Sequence, residues 1–228
     1  MKLGVIFGSS STEHEVSVMS GYNVINNLDK KKYKVIPIYL DKNNNWYVCD
    51  NFQIKKFGDL PKKIKLVRNI IEFLNDLDCV FPVVHGKVGE DGSLQGFLEV
   101  LGIPYVGCNI LASSICMDKI YTKAILKNVA NVSPDITIVK ENKTLYYYDN
   151  LKLVKKVNIK DIDKLVNEKL KYPVFIKPSR FGSSVGVTKV KDGKSLKKAI
   201  FEALKFDNEV GTWKRNKRKR TWMCSFMW

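Results

Sequence analysis

A lysine and a glycine- and serine-rich loop stand between two apolar segments at residues 175–187, FIKPSRFGSSVGV. Lys177 ends a segment that reads as a buried strand, where an ammonium group is costly unless an anion pairs with it. The loop supplies flexible backbone, N–H donors and two hydroxyls, which suit an anion-binding concavity. Its members are Gly182, Ser183, Ser184 and Gly186. The lysine precedes the glycines, so this is not a Walker A loop. Two interpretations of this loop remain, a lid over a phosphate and an ordinary hairpin turn. The chemistry of its residues favours the lid.

A second group of polar residues follows the first apolar run, in GSSSTEHEVS at residues 8–17. Ligands in open α/β sheets bind beyond the carboxyl ends of strands. A carboxylate such as Glu13 could therefore bind a substrate ammonium group here. The alternative is a helix start, capped by Ser11 or Thr12, with Glu13 and Glu15 favoured by the helix dipole. Taken alone, this loop favours the cap.

Two further candidates are a histidine and a lysine. The segment VVHGKVGEDGSLQG, residues 83–96, has four glycines, which indicates unusual backbone angles or close approach to a ligand. His85 directly follows an apolar strand, a position that suits a structural and a functional role equally. Lys119, in MDKIYTK, would by spacing alone be a solvated helix lysine.

The elements that must position these residues alternate between strand and helix in the first part of the chain. Apolar runs predict strands at 2–8, 33–40, 79–86 and 103–107, and a turn with a short strand at 43–50; helical periodicity predicts helices at 15–28 and 92–102. This alternation predicts βαβ units and a parallel sheet in an α/β domain over residues 1–107.

A second unit is predicted over residues 108–210. Its elements are a helix at 109–130, a strand at 134–140, a surface excursion at 141–157, a helix at 159–171, a hairpin of 173–178 with 185–192, and a helix at 194–206. The candidate lysines fall on its first helix and its hairpin, so we expect this unit to carry the anion-binding loop.

The composition is that of a globular protein with a strongly basic balance. The 228 residues are 45% hydrophobic and carry a net charge of +16. We find no membrane-spanning segment and no secretory signal. The five cysteines have no CxxC spacing and are predicted to be reduced thiols in the cytoplasm. A basic chain suits nucleotides, nucleic acid or lipid head groups without choosing among them.

Taken together, these stretches resemble the D-alanine–D-alanine ligases of the ATP-grasp superfamily over about residues 1–210. The matching segments are GVIFGSSSTEHEVS, VFPVVHGKVGEDGSLQGFLEVLGIPYVG, CMDK and YPVFIKPSRFGSSVGVTKV. The chain is also similar to the related D-alanine–D-serine and D-alanine–D-lactate ligases. The resemblance implies a Rossmann-like N-terminal domain with a parallel sheet, followed by the central ATP-grasp α+β subdomain.

The resemblance also implies a reaction that supplies peptidoglycan precursors for the bacterial cell wall. ATP phosphorylates the carboxylate of one D-alanine, and the amine of a second D-alanine displaces the phosphate. By motif, Glu13 matches the carboxylate that holds the first D-alanine, and His85 lies in the same subsite. Lys119 and Lys177 match the lysines that contact ATP phosphates. Ser183 matches the serine near the reacting groups, and its loop neighbours Gly182 and Ser184 shape the lid.

The family pattern breaks near residue 210. The resemblance implies that an acidic strand against the adenine follows, then a Lys-Tyr loop, an arginine and the ligands of two magnesium ions. None of these can be recognised after FDNEV. We therefore expect the C-terminal ATP-grasp half to be missing through a shifted reading frame or wrong gene end. We assign no metal ligand to this chain, expect Mg²⁺ or Mn²⁺ to be bound by the missing part, and expect little or no ligase activity.

The last segment, residues 211–228, reads GTWKRNKRKRTWMCSFMW and has six basic and no acidic residues. We predict a disordered basic tail. The alternative is an arm that binds nucleic acid or membrane through its lysines, arginines and tryptophans. We do not expect membrane insertion or a nucleic-acid partner. A non-catalytic remnant that binds ATP or D-alanine weakly also remains, and so does the choice of second substrate. Oligomeric state is open, although family members are commonly homodimers through the N-terminal domain.

Overall fold

The computed structural model describes residues 1–214, which fall into two compact units, Met1–Ser114 and a second unit that begins at Ile115. The division comes later in the chain than the predicted boundary after residue 107. The reason is a contact that ties the following helix to the first unit: Ser114 Oγ donates to the carbonyl of Asp91 at 2.9 Å.

The first unit is built on a five-stranded sheet. Its strands are β1 (Lys2–Gly8), β2 (Lys34–Leu40), β3 (Trp46–Cys49), β4 (Ile64–Leu66) and β5 (Cys79–Pro82), in the order β4-β3-β2-β1-β5. The central strand β1 runs parallel to β2 and to β5, which confirms the predicted parallel sheet. Strands β3 and β4 add an antiparallel edge.

Three helices contribute to the core on this sheet: α1 (His14–Asn27), α2 (Ile70–Asn75) and α3 (Ser93–Val100). The next helix, α4 (Ile110–Met117), spans the division between the units. Successive residues of β1 point to opposite faces, so Ile6 packs into one core cluster and Val5 and Phe7 into another. Burial on both faces is the reason that β1 reads as a continuous apolar run. It also leaves the carboxyl ends of β1 and β5 as the place where polar loops emerge.

The second unit carries a six-stranded antiparallel sheet. Its strands are β6 (Asp135–Glu141), β7 (Thr144–Asp149), β8 (Lys152–Val157), β9 (Val174–Pro178), β10 (Thr188–Val190) and β11 (Glu209–Lys214), in the order β10-β9-β11-β6-β7-β8. Helices α5 (Lys119–Leu126), α6 (Ile159–Lys169) and α7 (Gly193–Ala203) complete it. One core cluster joins Ile138 and Ile176 of the sheet to Val166 and Ile200 of α6 and α7.

Two predictions about this unit and one about the first unit were wrong in part. The expected surface excursion at 141–157 is two strands, since Leu145 and Tyr147 alternate into the core. The expected helix at 109–130 is broken by Asp118, whose side chain accepts hydrogen bonds from the first backbone N–H groups of α5. Within the first unit, the expected strand at 103–107 forms only a single bridge, between Val80 and Tyr105.

The predicted tail is also wrong for its first residues. Residues 211–214 belong to β11, which pairs with β9 on one side and β6 on the other. The physical reason is backbone pairing: without β11, the facing edges of β9 and β6 would lack hydrogen-bond partners. Residues 215–228, which hold the rest of the predicted tail, lie outside the described residues.

The complete burial of Ile176 of β9 in the core cluster predicts a large effect of shortening this side chain. We expect Ile176→Ala to lower the free energy of unfolding by about 2–5 kcal/mol, because it leaves a cavity in a packed core. Leu153→Ala on β8 is the matched control, since Leu153 is 56% exposed; we expect it to change stability by less than about 0.5 kcal/mol. Urea unfolding followed by circular dichroism measures both, and equal effects would contradict this packing.

Candidate functional site

The carboxyl ends of β1 and β5 bring the loops of Glu13 and His85 together in the first unit. The hydroxyl of Ser11 donates to the carbonyl of His85 at 2.7 Å and accepts from the backbone N–H of Glu13 at 3.1 Å. Gly86 has a φ of +73°, and a Cβ there would lie 2.6 Å from Glu13 Oε2. Only a glycine thus lets the Glu13 carboxylate approach this backbone so closely.

The helix-start alternative that the sequence offered for this loop is present in part. Glu15 lies in the first turn of α1, where the helix dipole favours a carboxylate. Glu13 is the residue before the first turn, and its side chain makes no capping hydrogen bond. The Ser11 hydroxyl accepts from the backbone N–H of Glu13 and donates to the carbonyl of His85, so it joins the start of the helix to the loop after β5.

His85 is half-buried and held through both ring nitrogens. Its Nε2 lies 2.9 Å from the hydroxyl of Ser20, and its Nδ1 lies 3.5 Å from Glu90 Oε1. Neither partner was predicted from the sequence. Glu90 belongs to the glycine-rich segment that follows β5, so the motif contained it, whereas Ser20 reaches the ring only because α1 packs beside β5.

A second histidine, His14, is hydrogen-bonded to the loop that follows β1. The sequence did not predict this role. Its ring is completely buried, with Nδ1 at 2.5 Å from the carbonyl of Ser9 and Nε2 at 3.1 Å from the hydroxyl of Tyr39. Because a carbonyl oxygen can only accept, Nδ1 carries a proton and donates to Ser9. Burial raises the pKa of Tyr39 to about 12, so its hydroxyl stays a donor at neutral pH.

In the second unit, Lys119 is not the solvated helix lysine that spacing alone suggested. Its Nζ donates to the carbonyl of Ser179 at 3.0 Å and to that of Phe181 at 2.7 Å. The neighbouring Asp118 accepts from the hydroxyl of Ser179. The first residues of α5 and its cap therefore hold the start of the loop at residues 179–187 through hydrogen bonds.

This loop has the backbone geometry of a constrained turn. Ser183 and Ser184 adopt left-handed φ angles of +47° and +63°, which are costly for residues with a Cβ. Gly186 has a φ of +66°, and a Cβ there would lie 2.7 Å from Pro178 and 2.8 Å from Phe206. The glycine is thus required, and both serine side chains lie in an exposed part of the loop.

Lys177 stands at the other end of the hairpin, on β9. It pairs with Gly211 of β11, and its Nζ lies 5.5 Å from the centroid of the Trp213 ring. Burial lowers the pKa of Lys177, since the half-buried ammonium group loses part of its hydration. The structure thus places three predicted elements in one unit: Lys119 beneath the loop, Lys177 beside it, and the loop with Gly182, Ser183 and Ser184.

An ion pair that the sequence did not reveal anchors the same loop. Arg180 donates from Nη2 to Asp207 Oδ1 at 2.5 Å, and from Nε to Oδ2 at 3.2 Å, and its backbone N–H also reaches Oδ2 at 2.8 Å. Burial would raise the pKa of Asp207, but the hydrogen bonds from Arg180 outweigh it and hold this pKa below its usual range. No local pattern connects two residues so far apart in the chain.

A cavity of about 370 Å³ lies elsewhere in the second unit. Its lining includes Lys123, Lys127, Asp135, Tyr148 and Lys169, and none of the predicted site residues. Lys123 also lies 5.6 Å from the centroid of the Trp213 ring.

Two expectations about metal and membrane can be compared with residues 1–214. In this part of the chain, no three His, Cys, Asp or Glu side chains are grouped as a metal site requires. The described residues thus do not fit a magnesium site. None of the helices within the same residues is long and apolar enough to cross a bilayer.

Comparison with known proteins defines the class first. The fold matches solved ATP-grasp ligases. A D-alanine–D-alanine ligase from Coxiella burnetii is 30% identical, with a TM-score of 0.73 over 94% of this chain and 61% of that chain. The VanG D-Ala:D-Ser ligase from Enterococcus faecalis is 35% identical, with a TM-score of 0.69 over 94% of this chain and 62% of that chain.

The sequence comparisons then give the family. The family model of the D-ala D-ala ligase N-terminus matches residues 2–108, and that of the D-ala D-ala ligase C-terminus matches residues 143–214. The D-alanine–D-alanine ligase of Caldicellulosiruptor bescii is 39% identical over 92% of this chain, and that of Thermoanaerobacter sp. is 40% identical over 92%. The chain belongs to the D-alanine–D-alanine ligase family.

The matches also show how much of each relative this chain covers. The chain spans 58% and 59% of the lengths of these two curated relatives. The C-terminal family model reaches residue 214, so the resemblance extends beyond the predicted limit at about residue 210 and includes all of β11.

The Arg180–Asp207 pair predicts a pH-dependent contribution to stability. The pKa of Asp207 is lower in the folded state than its usual value of 3.8, so its stabilisation is present above that pH and lost as the pH falls through the folded pKa. We expect Asp207→Asn to lower the free energy of unfolding at pH 7 by about 1.5–3 kcal/mol, as for a hydrogen bond to a charged group. The difference from the original chain should shrink below about pH 4.

Urea unfolding at several pH values between 7 and 3 measures this difference. Glu202→Gln is the control, because Glu202 pairs with Lys205 at the surface and its loss should matter less. A destabilisation by Asp207→Asn that stayed constant down to pH 3 would show that the charge of Asp207 is not its cause.

Proposed function

We propose that this chain takes part in the ATP-dependent ligation of D-alanine to a second D-alanine, in the cytoplasm, for peptidoglycan precursors. Family membership supports this activity. A solved D-alanine–D-alanine ligase from Bacillus anthracis complexed with ATP is 33% identical to the chain, with a TM-score of 0.67 over 95% of this chain and 59% of that chain.

The observation that carries the proposal is the set of cationic and polar groups around one constrained loop. Lys119 lies beneath residues 179–187, Lys177 lies on the adjoining strand, and the two left-handed serines form the turn. Phosphoryl transfer depends mainly on positioning and on neutralising phosphate charge. Ammonium groups and backbone N–H donors supply both.

On this proposal Lys177 and Lys119 bind ATP phosphates. Two donors of Lys119 already reach loop carbonyls, so its contact with phosphate would also tie the loop to the nucleotide. Ser183 lies near the reacting groups, while Gly182 and Ser184 shape a lid. Excluding water would protect the acylphosphate from hydrolysis.

The first unit would bind the first D-alanine. Glu13 is a carboxylate held in place beside the backbone of Gly86, which suits it to accept hydrogen bonds from an ammonium group. His85 would lie in the same subsite, oriented by Ser20 and Glu90. The carboxylate of this D-alanine receives the γ-phosphoryl group of ATP, and the amine of the second D-alanine then attacks the acyl carbon and releases phosphate.

A related activity has one observation in its favour. The VanG structure belongs to a D-Ala:D-Ser ligase and is 35% identical to the chain. Ligation of D-alanine to D-serine is therefore the second candidate. In NMR titrations of the chain already saturated with D-alanine, chemical-shift changes at lower concentrations of D-serine than of further D-alanine would favour it over the first.

The nucleotide half of the proposal predicts the effect of removing the Lys177 charge. We expect Lys177→Met to weaken ATP binding by about 10-fold or more, because it removes a charge-assisted hydrogen bond to phosphate. Titration calorimetry of the whole chain with ATP measures this change. Lys189→Met is the matched control, since Lys189 is an exposed lysine on the next strand of the hairpin. Equal ATP affinity in the Lys177 variant and the original chain would refute the role of this lysine.

The amino-acid half makes an independent prediction. We expect Glu13→Gln to weaken D-alanine binding by about 10-fold, because the amide keeps the shape of the side chain but lacks its charge. Chemical-shift changes in NMR spectra during titration with D-alanine measure the affinity. Glu15→Gln is the control, because Glu15 already pairs with Lys42 at 2.7 Å. The assignment fails if the Glu15 variant loses D-alanine binding and the Glu13 variant keeps it.

A further inference from the structure

Trp213 lies against two lysine side chains on the sheet of the second unit. Its ring centroid is 5.5 Å from Lys177 Nζ and 5.6 Å from Lys123 Nζ, both within the range of cation–π attraction. The residue is only 8% exposed, so the attraction acts in a partly desolvated setting where it is strongest. Trp213 falls in the segment that the sequence analysis assigned to a disordered tail.

The strand register explains how the ring reaches both lysines. Gly211 precedes Trp213 by two residues on β11, so both point to the same face, and Gly211 pairs with Lys177. A Cβ on Gly211 would lie 2.1 Å from the indole ring. The ring therefore folds back over the backbone of Gly211 toward Lys177, which no other residue at 211 would permit.

The same face carries further charges. Lys123 on α5 donates to Asp135 on β6 at 2.6 Å, and Asp135 pairs with Trp213 in the strand register. Glu209 lies on this face of β11 as well, by strand alternation. Burial lowers the pKa of Lys177 and of Lys123, in the latter case against the pull of Asp135. An aromatic face that attracts cations opposes this loss of charge.

We infer that Trp213 is a positioning residue whose indole face holds the ammonium groups of Lys177 and Lys123 in place and charged, ready to bind a polyphosphate. The link to polyphosphate rests on the proposed nucleotide role of Lys177. The effect on the lysines does not, because the ring lies near both ammonium groups whether or not a nucleotide binds.

The test separates attraction by the ring from simple exclusion of water. In the full chain with ¹³C-labelled lysine, the Cε signal of Lys177 is assigned by its loss in Lys177→Arg and titrated from pH 7 to 11. We expect the pKa of Lys177 to fall by about 0.4 to 1.5 pH units in Trp213→Leu, because the charged form loses its aromatic partner. A pKa that rises or stays the same would overturn the inference, since a ring that only excludes water raises the pKa when it is removed.

Two further variants test whether the effect depends on the aromatic ring at position 213. Trp213→Phe keeps a smaller ring and should lower the pKa of Lys177 by less than Trp213→Leu; if the leucine variant fails to fold, no fall in the phenylalanine variant overturns the inference. Trp46→Phe is the matched control, because Trp46 packs on Phe97 in the first unit. It should leave the titration of Lys177 unchanged.

A binding measurement distinguishes this inference from the proposed function. We expect Trp213→Leu to weaken binding of inorganic tripolyphosphate and of ATP by about 2- to 30-fold in calorimetry at low salt. If the original chain binds neither compound while the pKa still falls, the nucleotide role of Lys177 is wrong and the role of the ring on the lysines stands. If both compounds bind equally well to the original chain and to Trp213→Leu, and the pKa does not fall, the inference is wrong and the proposed function stands.

Discussion

The pairing of β11 between β9 and β6 is the constraint on which the second unit depends. It satisfies the backbone of two strands that would otherwise present open edges inside the sheet. It also aligns Val210 and Thr212 with the core and Gly211 and Trp213 with the opposite face. The register of one strand thereby fixes the surroundings of Lys177. The same strand begins just after Asp207, which anchors the loop through Arg180.

The two faces of this sheet follow different physical rules. One face is apolar and packs on α6 and α7, as expected for a stable core. The other carries Lys177, two carboxylates and an indole and faces Lys123 of α5, so that charge is kept in a half-buried setting. Such an arrangement loses hydration energy and recovers part of it through ion pairs and the aromatic ring. A face of this kind is suited to bind an anion, but it contributes less to the stability of the fold than the apolar face does.

In the first unit, the polar residues around Glu13 are positioned by loops and not by strand register. Its central strands run parallel, so their carboxyl ends lie at the same edge of the sheet. The loops that follow these strands therefore meet at that edge. The loops then hold each other through short hydrogen bonds from Ser11 and Ser17. The buried His14 ring completes this support. The result is a carboxylate, Glu13, held by backbone geometry, which is how a fold prepares a charge for recognition.

From the sequence alone follow the parallel strands of the first unit, the hairpin that carries Lys177, and the motifs of Glu13, His85 and the serine loop. These features are local, because apolar runs, glycines and motif order lie within short stretches of chain. The sequence did not reveal the strands at 144–157, where lysines and tyrosines hide the alternation of buried residues, nor the continuation of β11 past residue 210, where composition changes abruptly. The contacts of Arg180 with Asp207, of His14 with Tyr39 and of Trp213 with the two lysines join residues distant in the chain. Only the tertiary structure decided them, because strand register and helix packing bring such partners together and no local pattern records it.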